Sequence, residues 1–114
     1  PLTYTFAGLW EIDPRWLEEH LEAVQVLDVR EPDEFEGPLG HIPGAQLIPL
    51  GTLSARIAEV TTDKPVVTVC RAGGRSAQAA VLLQRAGIER VANLTGGMLR
   101  WRAGGHTVVG GVSG

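Results

Sequence analysis

One segment of the sequence combines a nucleophile with features that stabilise negative charge. Cys70, the single cysteine of the chain, ends a short apolar run and is followed by two glycines and then by Ser76. Glycines allow a sharp turn that directs several backbone N–H groups to one point, and a following helix adds the positive end of its dipole. Such surroundings lower the pKa of a thiol from its usual value of about 8.5. The sequence therefore predicts that Cys70 is an activated nucleophile.

The lone cysteine also has a plainer interpretation, since unpaired cysteines are often small buried apolar side chains. One cysteine forms neither an internal disulfide nor a zinc site of the paired-cysteine type. We favour the nucleophile because the loop features around Cys70 all stabilise a thiolate. No metal site is expected.

The rest of this loop suits an anionic substrate. The backbone amides are expected to hold the anion, and the two arginines are expected to attract it. Plain surface exposure is the alternative for either arginine, because most arginines are exposed. The predicted substrate-binding residues are Arg71, Ala72, Gly73, Gly74, Arg75 and Ser76.

Alternating strands and helices are predicted to position this loop. Apolar, β-branched runs predict buried strands over residues 24–29 and 66–70, with weaker candidates at 45–48 and 91–94. Helices are predicted from Asp13-Pro14 to about Leu21, over residues 53–60 with Thr52 as cap, from Ser76 as cap to Ala86 with Gly87 as the end, and over residues 97–103. This alternation predicts an α/β fold with a mainly parallel sheet, in which ligands bind at the carboxyl ends of strands.

Four motifs in a fixed order resemble the rhodanese family. The Cys70 loop is similar to the six-residue active-site loop of that family. Residues 27–32 (LDVREP), 40–45 (GHIPGA) and 93–98 (NLTGGM), followed by Trp101, are similar to its other signatures. The resemblance extends from about Ile12 to Val109. It implies one domain over residues 1–114, with a core over about 12–109, a central, mainly parallel sheet and helices on both faces.

The resemblance also implies a sulfurtransferase that needs no metal or organic cofactor. Cys70 would take the outer sulfur of a small anionic donor such as thiosulfate as a persulfide, and a thiophilic acceptor, cyanide or a thiol, would remove it. Alternatively, the domain relays sulfur to an accepting protein or regulates a partner protein. A cysteine phosphatase or arsenate reductase is the enzymatic alternative. Their motif places an arginine after five intervening residues, whereas Arg75 follows Cys70 after four.

Three further residues are expected to support the site. We expect Asp28 to accept hydrogen bonds from loop N–H groups and Arg30 to pair with Glu31 or Glu34, although both could instead line the pocket. In the resemblance they belong to the scaffold. His41 is expected to fix a loop, with a general-base role as the alternative.

The remaining polar and aromatic residues are assigned to surface and packing. His20 and His106 are expected to be isolated and exposed. The acidic residues within 31–36 are expected to form a solvated loop. The three tryptophans are expected to pack. Residues 37–39 lengthen the loop before the Gly-His motif, compared with many rhodanese domains, and are expected to shape acceptor access.

The composition argues against two classes of partner, nucleic acids and membranes. The formal net charge of −3 and the lack of a basic stripe argue against nucleic-acid binding. No apolar run approaches the roughly 18 residues of a membrane span, and no leader is recognised, which predicts a cytoplasmic location. The glycine-rich segment from residue 104 to 114 is expected to be a flexible tail.

Overall fold

The computed structural model of the protein describes residues 3–4 and 10–112. In this part of the chain, short strands alternate with helices. The strands are β1 (Thr3–Tyr4), β2 (Trp10–Ile12), β3 (Gln25–Asp28), β4 (Gln46–Leu47), β5 (Val66–Val69) and β6 (Val91–Leu94). The helices are α1 (Pro14–Glu19), α2 (Pro32–Phe35), α3 (Leu50–Leu53), α4 (Gly74–Arg85) and α5 (Gly97–Ala103), with 3₁₀ turns at Leu21–Ala23 and Ser54–Glu59.

The strands form one sheet in the order β1-β2-β6-β5-β3-β4. Five of them, from β2 to β4 in that order, run parallel, and β1 pairs antiparallel with β2. In the register of the sheet, Asp28 at the end of β3 pairs with Val69 at the end of β5. The predicted α/β fold with a mainly parallel sheet is confirmed, and Cys70 directly follows a central strand.

Apolar side chains fill both faces of the sheet. On one face, Leu83 of α4 and Leu53 of α3 pack with Leu27 in a buried cluster that also contains Cys70. On the other face, Leu17 of α1 and Trp101 of α5 pack in a second buried cluster. β5 is buried along its whole length because helices cover both faces of the central strands.

Two predicted helix starts are wrong. The α4 helix begins at Gly74, and Gly73, with φ of 111°, occupies the N-cap position predicted for Ser76. Glycine adopts this left-handed conformation without a steric cost, so the helix starts earlier than a side-chain cap would suggest. Thr52 lies inside α3, where its hydroxyl donates to the Pro49 carbonyl at 3.0 Å instead of capping a helix.

Two histidines expected to be isolated and exposed make specific contacts instead. The ring of His20 stacks on Trp16 with centroids 4.0 Å apart. Nδ1 of His106 lies 2.6 Å from a carboxylate oxygen of Glu18, and its ring lies against Trp101. The prediction is wrong because His20 packs on Trp16, one helical turn before it, and because the chain after α5 folds back so that His106 meets Glu18 of α1. Trp101, which is fully buried, confirms its predicted packing role.

The segment after α5 is hydrogen-bonded as far as the structure describes it. The Trp101 indole N–H donates to the Thr107 carbonyl at 2.9 Å. His41 and Val109 exchange two backbone hydrogen bonds, and the Val112 N–H donates to the Pro38 carbonyl. This differs from the expected flexible tail, because the polar backbone of residues 107–112 finds partners in the loop before β4. Residues 113–114 of that tail lie outside the described residues.

No helix in residues 3–4 and 10–112 has the length and apolar character needed to cross a membrane. The cytoplasmic location and the extent of the single domain stay predictions.

Candidate active site

The loop between β5 and α4 lies at the carboxyl edge of the parallel sheet, where ligands bind in α/β folds of this kind. Cys70 is 1% exposed and packs against the apolar cluster beneath α4. Burial therefore does not distinguish a nucleophile from a core side chain. The hydrogen-bond donors directed at the sulfur make this distinction.

Two hydrogen-bond donors point at the Cys70 sulfur. The Gly73 N–H lies 3.0 Å from Sγ, and the Ser76 hydroxyl lies 3.2 Å from it. Burial raises the pKa of the thiol, but hydrogen bonds from the Ser76 hydroxyl and from the backbone N–H groups of Ser76, Gly73 and Ala72 outweigh that effect and lower the pKa overall. This arrangement favours a thiolate at the end of β5.

The Ser76 hydroxyl carries one proton and has two acceptors in reach. It lies 3.2 Å from the Gly73 carbonyl oxygen as well as 3.2 Å from the Cys70 sulfur. The Asn93 side-chain amide already donates to that carbonyl at 3.2 Å. The carbonyl is therefore satisfied without the hydroxyl, which leaves the proton of Ser76 for the sulfur.

The first turn of α5 holds the back of the loop. The N–H groups of Met98 and Leu99 donate to the carbonyls of Cys70 and Arg71 at 2.9 Å and 3.0 Å. Because these carbonyls point toward α5, the amides that follow are free to face the sulfur. A β-carbon on Gly97 would lie 2.4 Å from the Cys70 carbonyl oxygen, so this approach requires glycine.

Arg75 is bound to an acidic residue that was assigned to a solvated loop. Two guanidinium nitrogens of Arg75 lie 2.6 Å and 2.8 Å from the two carboxylate oxygens of Glu34. The Arg75 hydrogen bonds lower the pKa of Glu34 to about 2, against an opposing effect of burial. The hydrogen bonds that Arg75 donates to Glu34 raise the pKa of Arg75, and the charge of Cys70 adds to this. The assignment of Glu34 to a solvated loop is wrong, because α2 brings it to α4.

Asp28 and Arg30 form a buried ion pair, each 1% exposed. Arg30 donates to both carboxylate oxygens of Asp28, the shortest contact being 2.8 Å, and to the carbonyls of Glu34 and Gly40. Asp28 accepts the Arg30 N–H as expected. Arg30 pairs with a carboxylate as predicted, but the suggested partners Glu31 and Glu34 are wrong, because Asp28, two residues away at the strand end, is within reach.

His41 holds the loop before β4. Its Nδ1 lies 3.0 Å from the Phe35 carbonyl oxygen, and its ring stacks on Phe35 with centroids 3.7 Å apart. Within the described part of the chain, no hydrogen bond joins His41 to Cys70. The neighbouring carbonyls of Pro38 and Leu39 accept hydrogen bonds from Arg102, which fastens the longer loop at residues 37–39. The effect of that loop on acceptor access stays a prediction.

The model of the rhodanese-like domain family matches residues 13–104 of this chain. The chain belongs to this family. The matched range contains the Cys70 loop, the Asp28–Arg30 pair and the Gly97 contact, so the site lies within the rhodanese-like domain. In that range and elsewhere among the described residues, no group of three or more His, Cys, Asp or Glu side chains is placed to hold a metal ion.

Other rhodanese-like proteins are similar over most of this chain. A Bacillus subtilis protein, YqhL, is 49% identical over 77 residues, which are 68% of this chain and 60% of that protein. A sulfurtransferase of Allochromatium vinosum is 38% identical over 102 residues, which are 87% of this chain and 94% of that protein. The crystal structure of a rhodanese-related protein from Thermoplasma volcanium has a TM-score of 0.81 and 33% identity, and the match covers 87% of this chain and 96% of that one. The family and the sulfurtransferase relative support a sulfurtransferase role.

The sequence analysis did not assign a contact with the Cys70 loop to several of the residues that surround it. Asn93 is a buried polar residue in an apolar strand, which is itself a signal of a specific hydrogen bond. Gly97 belongs to a Gly-Gly pair, which signals a close backbone approach. Glu34 has no comparable signal, since its partner Arg75 lies 41 residues away.

Proposed function

We propose that this protein is a sulfurtransferase that carries sulfane sulfur as a persulfide on Cys70, taking it from a small anionic donor such as thiosulfate and passing it to cyanide or a thiol. One observation carries the proposal: the Gly73 N–H and the Ser76 hydroxyl converge on a buried sulfur whose pKa is lowered. A thiolate stabilised in this way is a nucleophile, and the same donors suit the persulfide anion that replaces it.

The reaction divides into two displacements. The Cys70 thiolate attacks the outer sulfur of thiosulfate, an S–S bond forms, and sulfite leaves with the electron pair of the bond that breaks. The acceptor, as cyanide or a thiolate, then attacks the outer sulfur of the persulfide, and the Cys70 thiolate leaves with its electron pair. Both steps are displacements at sulfur and need no external oxidant or reductant. The protein alternates between its free thiolate and its persulfide, as in ping-pong kinetics.

A relay to a sulfur-accepting protein uses the same persulfide. The relatives support a sulfurtransferase or sulfur-carrier role, and the chain spans 60% of the length of the Bacillus subtilis relative. The first displacement is common to both roles. The identity of the acceptor is what separates them.

The deciding experiment is the intact mass of the protein after incubation with thiosulfate, and again after cyanide is added. We expect a gain of about 32 Da, one sulfur atom, that cyanide removes. The Cys70→Ser variant keeps the size of the side chain and is expected to show no gain. Unfolding of both proteins in urea, with similar midpoints, serves as the control for folding.

The other outcomes are equally informative. A gain of about 32 Da in Cys70→Ser would disprove the assignment of the persulfide to Cys70. A wild-type protein that shows no gain with thiosulfate or with an organic persulfide is not a sulfurtransferase. Hydrolysis of a phosphate ester by that protein would then indicate the cysteine phosphatase alternative.

A further inference from the structure

The arginines around the Cys70 loop fall into two groups. Arg75 is bound through two hydrogen bonds to Glu34, which balances its charge. Arg71 and Arg100 are exposed, and neither side chain has a hydrogen bond or an ion pair with any residue that the structure describes. The net positive charge near the loop therefore comes from Arg71 and from Arg100, which is on a different element.

Arg100 approaches the loop through Gly96. Side chains of a helix lean toward its N-terminus, and α5 begins against the Cys70 loop. A β-carbon on Gly96 would lie 2.7 Å from Cβ and 2.8 Å from Cδ of Arg100, so the aliphatic part of Arg100 crosses Gly96. The Arg100 charge is thereby directed toward the loop end of α5.

Gly96 in turn lies next to the group that holds the sulfur. A β-carbon on Gly73 would lie 3.6 Å from the Gly96 nitrogen, and the Gly73 N–H donates to the Cys70 sulfur at 3.0 Å. On the other side, the Leu99 N–H donates to the Arg71 carbonyl at 3.0 Å. The two unpaired arginines thus both lie beside the Cys70 loop, Arg71 in the loop itself and Arg100 in the first turn of α5.

We propose that Arg100, together with Arg71, binds the anionic group of the sulfur donor and makes the site selective for donors that carry a sulfonate or carboxylate next to the transferred sulfur. This inference rests on the proposed sulfurtransferase function. Arg100 does not touch the reacting sulfur atoms in this assignment. It holds the far end of the donor, so its loss weakens donor binding and leaves the displacement itself intact.

The test compares Arg100→Ala with Arg85→Ala. Arg85 is also exposed and unpaired within the described residues, but it lies at the far end of α4, about 16 Å along the helix axis from Gly74. Both variants lose the same charge. We expect Arg100→Ala to lower kcat/KM for thiosulfate about three- to tenfold, as for one partly exposed ionic contact, and Arg85→Ala to change it less than about twofold.

Two further measurements separate anion binding from a structural effect. With an alkyl hydropersulfide as donor, which carries no sulfonate or carboxylate and loads Cys70 with loss of the alkyl thiolate, Arg100→Ala is expected to retain the wild-type kcat/KM. Arg100→Lys, which keeps the charge, is expected to recover most of the thiosulfate rate. Equal losses with both donors, or equal effects of Arg100→Ala and Arg85→Ala on thiosulfate, would overturn the inference and leave the sulfurtransferase function standing.

A binding measurement tests the same site without catalysis. Sulfate, an unreactive dianion, is expected to slow alkylation of Cys70 by uncharged iodoacetamide in the wild-type protein and in Arg85→Ala, and to protect Arg100→Ala at least about threefold less well. If sulfate protects as expected but the protein forms no persulfide, the proposed function is refuted and the anion-binding role of Arg100 still stands. If sulfate protects the wild-type protein no better than Arg100→Ala, Arg100 does not bind the anion.

Discussion

The pKa of Cys70 depends on where the Ser76 hydroxyl donates its single proton. The hydroxyl can donate to the sulfur because the Asn93 amide already serves the Gly73 carbonyl. The position of Ser76 is itself fixed, since the Thr68 hydroxyl donates to its carbonyl at 2.9 Å. Within the described residues, the groups that donate hydrogen bonds to the sulfur are neutral, and no base is in hydrogen-bond contact with it.

Ser76→Ala tests this arrangement. The variant loses one donor to the sulfur, so the pKa of Cys70 rises and the thiolate fraction at a given pH falls. At a pH below the thiol pKa of the wild-type protein, we expect alkylation by iodoacetamide to slow about three- to tenfold, which corresponds to the roughly 1 kcal/mol of one hydrogen bond. The rate measured from pH 5 to pH 9 should fall as the pH drops through the thiol pKa, with the midpoint at higher pH in the variant.

Ser54→Ala is the matched control, because Ser54 is exposed and lies in the 3₁₀ turn after α3. Its alkylation profile is expected to match that of the wild-type protein. An unchanged midpoint in Ser76→Ala would mean that the hydroxyl donates to the Gly73 carbonyl instead of to the sulfur.

At the scale of elements, the Glu34–Arg75 pair joins the short helix α2 to the first turn of α4. Glu34 also accepts the Glu31 N–H at 3.0 Å, so one carboxylate caps the N-terminus of α2 and binds α4 at the same time. A four-residue helix has little stability of its own, and this contact supplies part of what holds it in place.

Glu34→Gln is expected to reduce the free energy of unfolding at pH 7 by about 1 kcal/mol, because water screens a pair that is partly exposed. The pKa of Glu34 is about 2 in the folded protein, below its ordinary value of 4.5. The stabilisation is therefore complete above pH 4.5 and disappears as the pH falls from 4.5 toward 2. Urea unfolding at pH 7 and pH 3.5 should show the difference between the two proteins becoming smaller.

Glu36→Gln, which changes an exposed acid just after α2, serves as the control and is expected to have little effect at either pH. A Glu34→Gln difference that stays constant from pH 7 to pH 3.5 would contradict the role of the ionised carboxylate.

Local patterns were sufficient to predict the elements that carry the nucleophile. The run at residues 66–70 is apolar and β-branched, and it forms a buried strand at Val66–Val69. The α5 helix spans Gly97–Ala103 as predicted. The three-residue strand β2 was not predicted, because it exists only through its pairing with β6. Short strands of this kind are determined by distant partners and leave little local pattern.

In the candidate site, likewise, the contacts between nearby residues were predictable and those between separate helices were not. The amide groups around Cys70 follow from the glycines, the strand and the helix, all within a few residues. The pairing of Arg75 with Glu34 and the approach of Arg100 depend on how three separate helices pack. Residue types alone could not show that Arg75 is bound to an acid whereas Arg71 is free of one.

On the scale of the whole molecule, hydrogen bonds connect α5 and the segment after it to the loop before β4. Arg102 is the centre of this connection: it donates to the carbonyls of Pro38 and Leu39 at 3.2 Å and 3.1 Å, and to the carbonyl of Val112. His41, which is paired with Val109, carries the connection on to α2 through Phe35.

Arg102→Ala removes these three hydrogen bonds and is expected to lower the free energy of unfolding by about 1–2 kcal/mol. Hydrogen exchange should become faster at residues 37–41 and 107–112 and stay unchanged in β5. Arg85→Ala, which removes the same charge at the far end of α4, is the control. Unchanged exchange at residues 37–41 would show that the backbone pairing of His41 and Val109 holds the loop without Arg102.

The burial of Cys70 gives the two halves of the proposed cycle different steric demands. Because Cys70 is 1% exposed, we expect a slim donor to react with its sulfur faster than a bulky one. In the proposed persulfide, a second sulfur is bonded at about 2.05 Å from the first. The atom that an acceptor attacks is then this added sulfur and not the buried Sγ. We therefore expect the size of the donor to affect the rate more than the size of the acceptor does.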